Sequence, residues 1–173
     1  MARGATEAEK SPAFAITGHR FSHPSLQGQA EAVKDALNAL FADIADSPIS
    51  SAGLQLNTML SDGVDQFAAR AALKQGWRVN AILPFGAALT CAAMASSAAD
   101  SAAVKRDLFE DAQRTAEPGY RSANPTIASF VELARRARIV AHSERDEHYV
   151  RAWLDDASAF PRRHRSATLW RRV

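Results

Sequence analysis

The sequence predicts an α/β fold: a doubly wound, mostly parallel sheet flanked by helices. Three observations predict it. Short apolar runs alternate with stretches of helical periodicity between Ala13 and Leu83. Each apolar run closes at or near a glycine or a proline. The order strand, helix, strand, helix, strand then implies parallel strands joined by helical crossovers.

Ala13–Thr17 is an apolar run stopping at Gly18, as a buried strand does. Gln27–Asp46 reads as a helix with Ala30, Val33, Leu37, Leu40 and Ile44 on its apolar face, ended by Ser47-Pro48. Leu54–Leu60, between Gly53 and Gly63, is the second strand. Val64–Gln75 is a helix with a small face of Ala68, Ala71 and Ala72, and Gly76 is placed to cap its C-terminus. Arg78–Leu83, closed by Pro84, is the third strand. The Ala- and Ser-rich stretch Gly86–Ala103 is left open between helix and loop. Ala102–Ala116 carries Val104, Leu108 and Ala112 on one face, and Glu117–Ala123 is a loop. Asn124-Pro125 has the form of a helix start, with Asn as cap and Pro in the first turn, and the helix runs to about Ala137. Arg138–His142 is a short strand, and Glu147–Ala157 carries Val150, Trp153, Leu154 and Ala157 at helical spacing. No internal repeat or heptad run is present.

A chain of 173 residues fits one domain with its own core. The division expected is a disordered N-terminus over 1–11, a ligand-binding domain over 12–160 and an Arg-rich tail over 161–173. The net charge is +2, and Arg162, Arg163, Arg165, Arg171 and Arg172 leave residues 1–160 at −3. The body alone therefore gives no reason to expect nucleic-acid binding. With Cys91 the single cysteine, neither an intrachain disulfide nor a Cys-based zinc site is available. No signal peptide and no apolar stretch of membrane-spanning length is visible, so a cytoplasmic protein without a membrane partner is expected.

In a doubly wound sheet, ligands bind beyond the C-terminal ends of the strands. Two loops leave strands at that edge. In Thr17-Gly18-His19-Arg20-Phe21-Ser22, glycine permits close backbone approach, hydroxyls offer hydrogen bonds, and Arg20 offers a fork for a phosphate or carboxylate. The alternative is a plain turn with an exposed arginine. Ser61-Asp62-Gly63-Val64-Asp65 opens a helix, whose N-terminal N–H groups attract anions. Asp62 and Asp65 repel phosphate and suit a sugar hydroxyl, a base N–H or helix capping; a purely capping Asp62 is the alternative. Neither phosphate-cradling glycine motif, G-x-x-x-x-G-K-[ST] or G-x-G-x-x-G, is present. Of His19, His23, His142, His148 and His164 only His19 and His23 stand at helical pair spacing, and Pro24 argues against a helix there, so no metal site is expected; Cys91 reads as a small buried residue.

Together these residues resemble a family. Ala15-Ile16-Thr17-Gly18-His19-Arg20, then Leu60-Ser61-Asp62-Gly63-Val64-Asp65-Gln66-Phe67-Ala68-Ala69-Arg70-Ala71-Ala72-Leu73, Gly76-Trp77 and Ala81-Ile82-Leu83-Pro84-Phe85 are similar to the SLOG superfamily. That group includes the DNA-processing protein A and LOG (lysine decarboxylase-like) families. The resemblance covers residues 13–85 and continues faintly through Ser129–Leu133 and Arg145–Ala152. It implies a Rossmann-like fold binding a nucleotide or nucleotide-derived small molecule, with Gly18, His19, Arg20, Asp62, Gly63 and Asp65 lining the site. Thr17 and Ser61 join them from the loop reading, and no cofactor is expected.

Members that cleave the N-glycosidic bond of nucleoside monophosphates carry a Pro-Gly-Gly-x-Gly-Thr-x-x-Glu motif, which is absent here, so binding or sensing leads over hydrolysis. The chain also has no glycine after Gly119. The likeness fades near Ala152, as expected of a sheet missing its last strands through truncation or frameshift. Such a sheet favours a homo-oligomer. A third reading is single-stranded nucleic-acid binding by the basic tail, with Trp170 as a stacking platform.

Overall fold

The computed structural model describes residues 11–97 and 99–141. The expected helix over Glu147–Ala157 and the Arg-rich tail lie outside them. Among the described residues the chain runs β1 (Ala13–Ala15), α1 (Ala30–Ala45), a 3₁₀ turn (Pro48–Ala52), β2 (Gln55–Thr58), α2 (Val64–Lys74), β3 (Arg78–Leu83), α3 (Gly86–Ala95), α4 (Ala102–Arg114), α5 (Pro125–Ala134) and β4 (Arg138–Ala141). The four strands form one sheet in the order β1-β2-β3-β4, every neighbouring pair parallel. The α/β class is as expected.

Strand order decides where the helices go. Each crossover steps the same way across the sheet, and right-handed crossovers that all step one way put their helices on one face. Accordingly α1 packs on α2, α2 on α5, α5 on α3 and α3 on α4, an unbroken series. Leu56, Thr58, Val79, Ala81 and Leu83 point into that face and are buried, with Phe14 half-buried beside them. Alanines 68, 69, 71 and 72 of α2 meet them, and small side chains let this helix sit close to the sheet. Trp77 packs on Phe41, with ring centroids 4.6 Å apart, and on Phe14 at 5.4 Å. These rings fill the core where β3 begins.

Local signals explain most boundaries. Gly76 (φ +75°) ends α2: its N–H bonds Leu73 and the Trp77 N–H bonds Ala72, the two bonds of a Schellman cap. Asn124 caps α5 by accepting from the N–H groups of Thr126 and Ile127, with Pro125 in the first turn. The open stretch after β3 resolves into α3, a helix with buried positions all round, held between β3, α4 and α5.

Three expectations change. The first helix begins at Ala30 rather than Gln27, because Gly28 sits at φ +79° and breaks the helical path. On α1, Leu40 is exposed and Phe41 is buried in its place. On α4, Val104 is exposed, and the inward stripe is Lys105, Leu108, Phe109 and Ala112. On α1, Phe41 takes the buried place beside Leu40 while Val33, Leu37 and Ile44 stay packed on the core; on α4, Lys105 beside Val104 turns inward and Leu108 and Ala112 keep the expected stripe.

Candidate functional site

All four strands are parallel, so the chain leaves each one at the same edge of the sheet. The loops after β1 and β2 meet there. The Val64 N–H donates to the His19 carbonyl (3.2 Å). A Cβ on Gly18 would collide with the Val64 side chain, and a Cβ on Gly63 would overlap the His19 carbonyl oxygen and press on Arg20 and Phe21. Gly63 also holds φ +98°. Both glycines are therefore needed for the loops to pack on each other. The space before each is filled by the opposite loop.

Asp65 ties the arrangement from inside. It is buried, and its carboxylate accepts from the Thr58 hydroxyl and from backbone groups of Ser61, Met59 and Gly18, which brings both loops onto one side chain. Burial pushes its pKa above the ordinary carboxylate value, and those hydrogen bonds act in the opposite direction. Thr58 is also the acceptor for the Leu60 N–H (3.1 Å), and Gln66 Nε2 donates to the Leu60 carbonyl (3.1 Å). Leu60 needs these supports. It is fully buried at φ +55°, a left-handed conformation that a leucine rarely adopts and that costs about 1–3 kcal/mol. Its side chain anchors in the core while the backbone turns sharply to present Ser61 and Asp62.

Thr17, Gly18, His19 and Arg20 are exposed, Ser61 and Asp62 are half-buried, and Gly63 and Asp65 are buried. Arg20 Nε faces Asp62 Oδ1 at 3.6 Å across the loop–loop seam. That oxygen is closed to solvent and has no hydrogen-bond partner among the described residues. The His19 and His23 rings stack at 3.8 Å. Phe21 stands exposed, edge-on to Phe67 at 5.5 Å, and Lys34 lies over the other partner, with its Nζ 4.9 Å from the Phe67 ring.

The expected loops are thus brought together, with a division of labour inside them. The exposed first loop carries the polar side chains, and the buried glycine and Asp65 carry the geometry. Asp62 does not cap α2: the cap position is Gly63, with no side-chain bond. Sequence reasoning missed Thr58, Gln66 and Phe21. Polar residues flanking a Leu at the end of a strand were the signal for the first two, and an aromatic in a polar loop for the third.

Two other features stand apart from this site. Cys91 is buried, and burial pushes its thiol up to about 12, so it stays protonated and unreactive. A groove of about 400 Å³ between α3, α4 and α5 is lined by Phe85, Phe109, Phe130 and Ile139, with Gln113, Thr115 and Arg135 as its polar lining. No helix among the described residues is long and apolar enough to cross a membrane.

Comparison of the chain with family models, with curated proteins and with solved structures gives no match in any of the three.

Proposed function

We propose that this chain binds a nucleotide or nucleotide-derived small molecule against the loops Thr17–Ser22 and Ser61–Asp65, in a Rossmann-like domain of SLOG type. The observation that carries the reading is the locked loop pair. A strained, fully supported turn at Leu60 and two glycines that admit no side chain hold exposed Arg20 against Asp62 at the carboxyl edge of a parallel sheet. With Nε turned to Asp62, the terminal nitrogens of Arg20 stay available for a phosphate. Phe21 offers an aromatic face for a base.

Binding is favoured over glycosidic hydrolysis because Asp65 is committed to four donors, the Thr58 hydroxyl at the end of β2 and backbone groups of Met59, Ser61 and Gly18 in the loops. That leaves Asp62, half-buried, as the more exposed acid of the pair.

Calorimetric titration with nucleoside monophosphates, cyclic nucleotides and ADP-ribose tests the reading. Arg20→Ala should weaken binding roughly 10- to 100-fold, the value of a charge-assisted hydrogen bond. Chromatography of the same mixtures should show no released base. Equal affinity in the variant, or no binding to any of these probes, would remove the proposal.

A further inference from the structure

Gln66 is a buried amide that faces two groups at once. Its Nε2 donates to the Leu60 carbonyl (3.1 Å), and its Oε1 accepts from the Ser129 hydroxyl (2.6 Å). Leu60 belongs to the turn that presents Ser61 and Asp62, whereas Ser129 belongs to α5, 63 positions along the chain from Gln66. Only 6% of Gln66 is exposed, so water does not stand in for either partner. An amide has one end that accepts and one that donates, and a half-turn about its last bond exchanges them. In the exchanged orientation Oε1 would face the Leu60 carbonyl, acceptor against acceptor. What meets the far end of this amide therefore decides whether the Leu60 turn is supported.

Ser129 alone does not fix the orientation, because a hydroxyl both donates and accepts. Arg70 removes the choice. Its Nη2 donates to Ser129 Oγ (3.1 Å), and its Nη1 donates to Glu132 (2.8 Å). A guanidinium never accepts and stays charged, so it takes the accepting side of the hydroxyl and turns the hydroxyl proton toward Gln66. The bonds then run one way, from Arg70 to Ser129, from Ser129 to Gln66 and from Gln66 to Leu60. Each donor in such a chain strengthens the next. Arg70 and Glu132 stand half-exposed at its start, and the strained Leu60 (φ +55°) is fully buried at its end.

We propose that Ser129 is a positioning residue for the loop Ser61–Asp65, acting by orienting the Gln66 amide and without touching what binds there. Its bearing on ligand rests on the nucleotide reading, and its bearing on the shape of the turn does not.

The full chain, labelled with nitrogen-15 and free of ligand, is used for the test, so a failed nucleotide reading leaves the result intact. In Ser129→Ala the Gln66 side-chain amide protons should exchange with solvent about tenfold faster than in wild type, the equivalent of one hydrogen bond. The backbone amide resonances of Ser61, Asp62 and Gly63 should shift with them. Ser129→Thr keeps the hydroxyl and should restore both signals. Arg70→Ala, a half-exposed change that spares the core, should move the same signals in the same direction, and it carries the test if Ser129→Ala does not fold. A lower unfolding midpoint in Ser129→Ala, with the Gln66 protons and the Ser61–Gly63 resonances unchanged, would reduce Ser129 to a tie between α2 and α5 and overturn the proposal. So would a failure of Ser129→Thr to restore the signals, or an unmoved Gln66 amide in Arg70→Ala.

Discussion

Gly63 and Asp65 hold the two loops in one shape, and each does so by a different physical route. Gly63 acts by the absence of a side chain. Gly63→Ala meets both a left-handed φ and the backbone of His19–Phe21, and should lower stability by about 2 kcal/mol or more. Urea denaturation of the variant checks this through a lower midpoint at unchanged slope. Asp65 acts by accepting hydrogen bonds where water cannot reach. Its folded pKa is raised above the unfolded value, so the folded state binds the proton more tightly. Its contribution to stability is therefore fullest below the unfolded pKa and declines as pH rises through the folded one. Wild type should gain on Asp65→Asn as pH falls from neutrality through that range. Denaturation curves of both proteins at neutral and acid pH decide it, and a gap that widens instead with rising pH would contradict this assignment of burial as the dominant cause.

Among the elements, the strand that ends in a strained turn matters most. Leu60 keeps its left-handed backbone because Thr58 Oγ1 accepts from its N–H and Gln66 Nε2 donates to its carbonyl. Gln66 in turn accepts from Ser129 (2.6 Å), and Arg70 donates to Ser129 and Glu132, which ties α5 to α2. The Arg70–Glu132 pair is half-exposed and adds at most about 1 kcal/mol. Gln66 is buried. Gln66→Ala leaves a buried carbonyl unanswered and should cost about 1–3 kcal/mol, measured by equilibrium unfolding. The elements themselves were legible in the sequence where local chemistry fixes them. The Gly76 cap, the Asn124-Pro125 start and the third strand all follow from residues within one turn. Leu40 and Val104 were misplaced because periodicity names a stripe only to within one neighbour. The choice between adjacent positions is made by what packs opposite: Phe41 is buried beside Leu40, and Lys105 beside Val104.

At the scale of the whole molecule, the parallel sheet places both sequence-predicted loops at one edge, and that much followed from strand and helix order. Strand order did not, since a repeat of strand and helix fixes direction but not which edge each new strand joins. The consequence is a sheet with all described helices on one face. The inward role of Asp65 was equally hidden, because its partners Thr58 and Gly18 come from separate loops and meet it only after folding. The proposed ligand site lies where those loops meet. Hydrogen exchange of the full chain, with and without saturating adenosine monophosphate, cyclic AMP or ADP-ribose in turn, tests it most directly. The predicted result is slowed exchange confined to residues 17–22 and 59–65, with α4 unchanged. Protection centred on the α3–α4–α5 groove, or none in either loop, would contradict it.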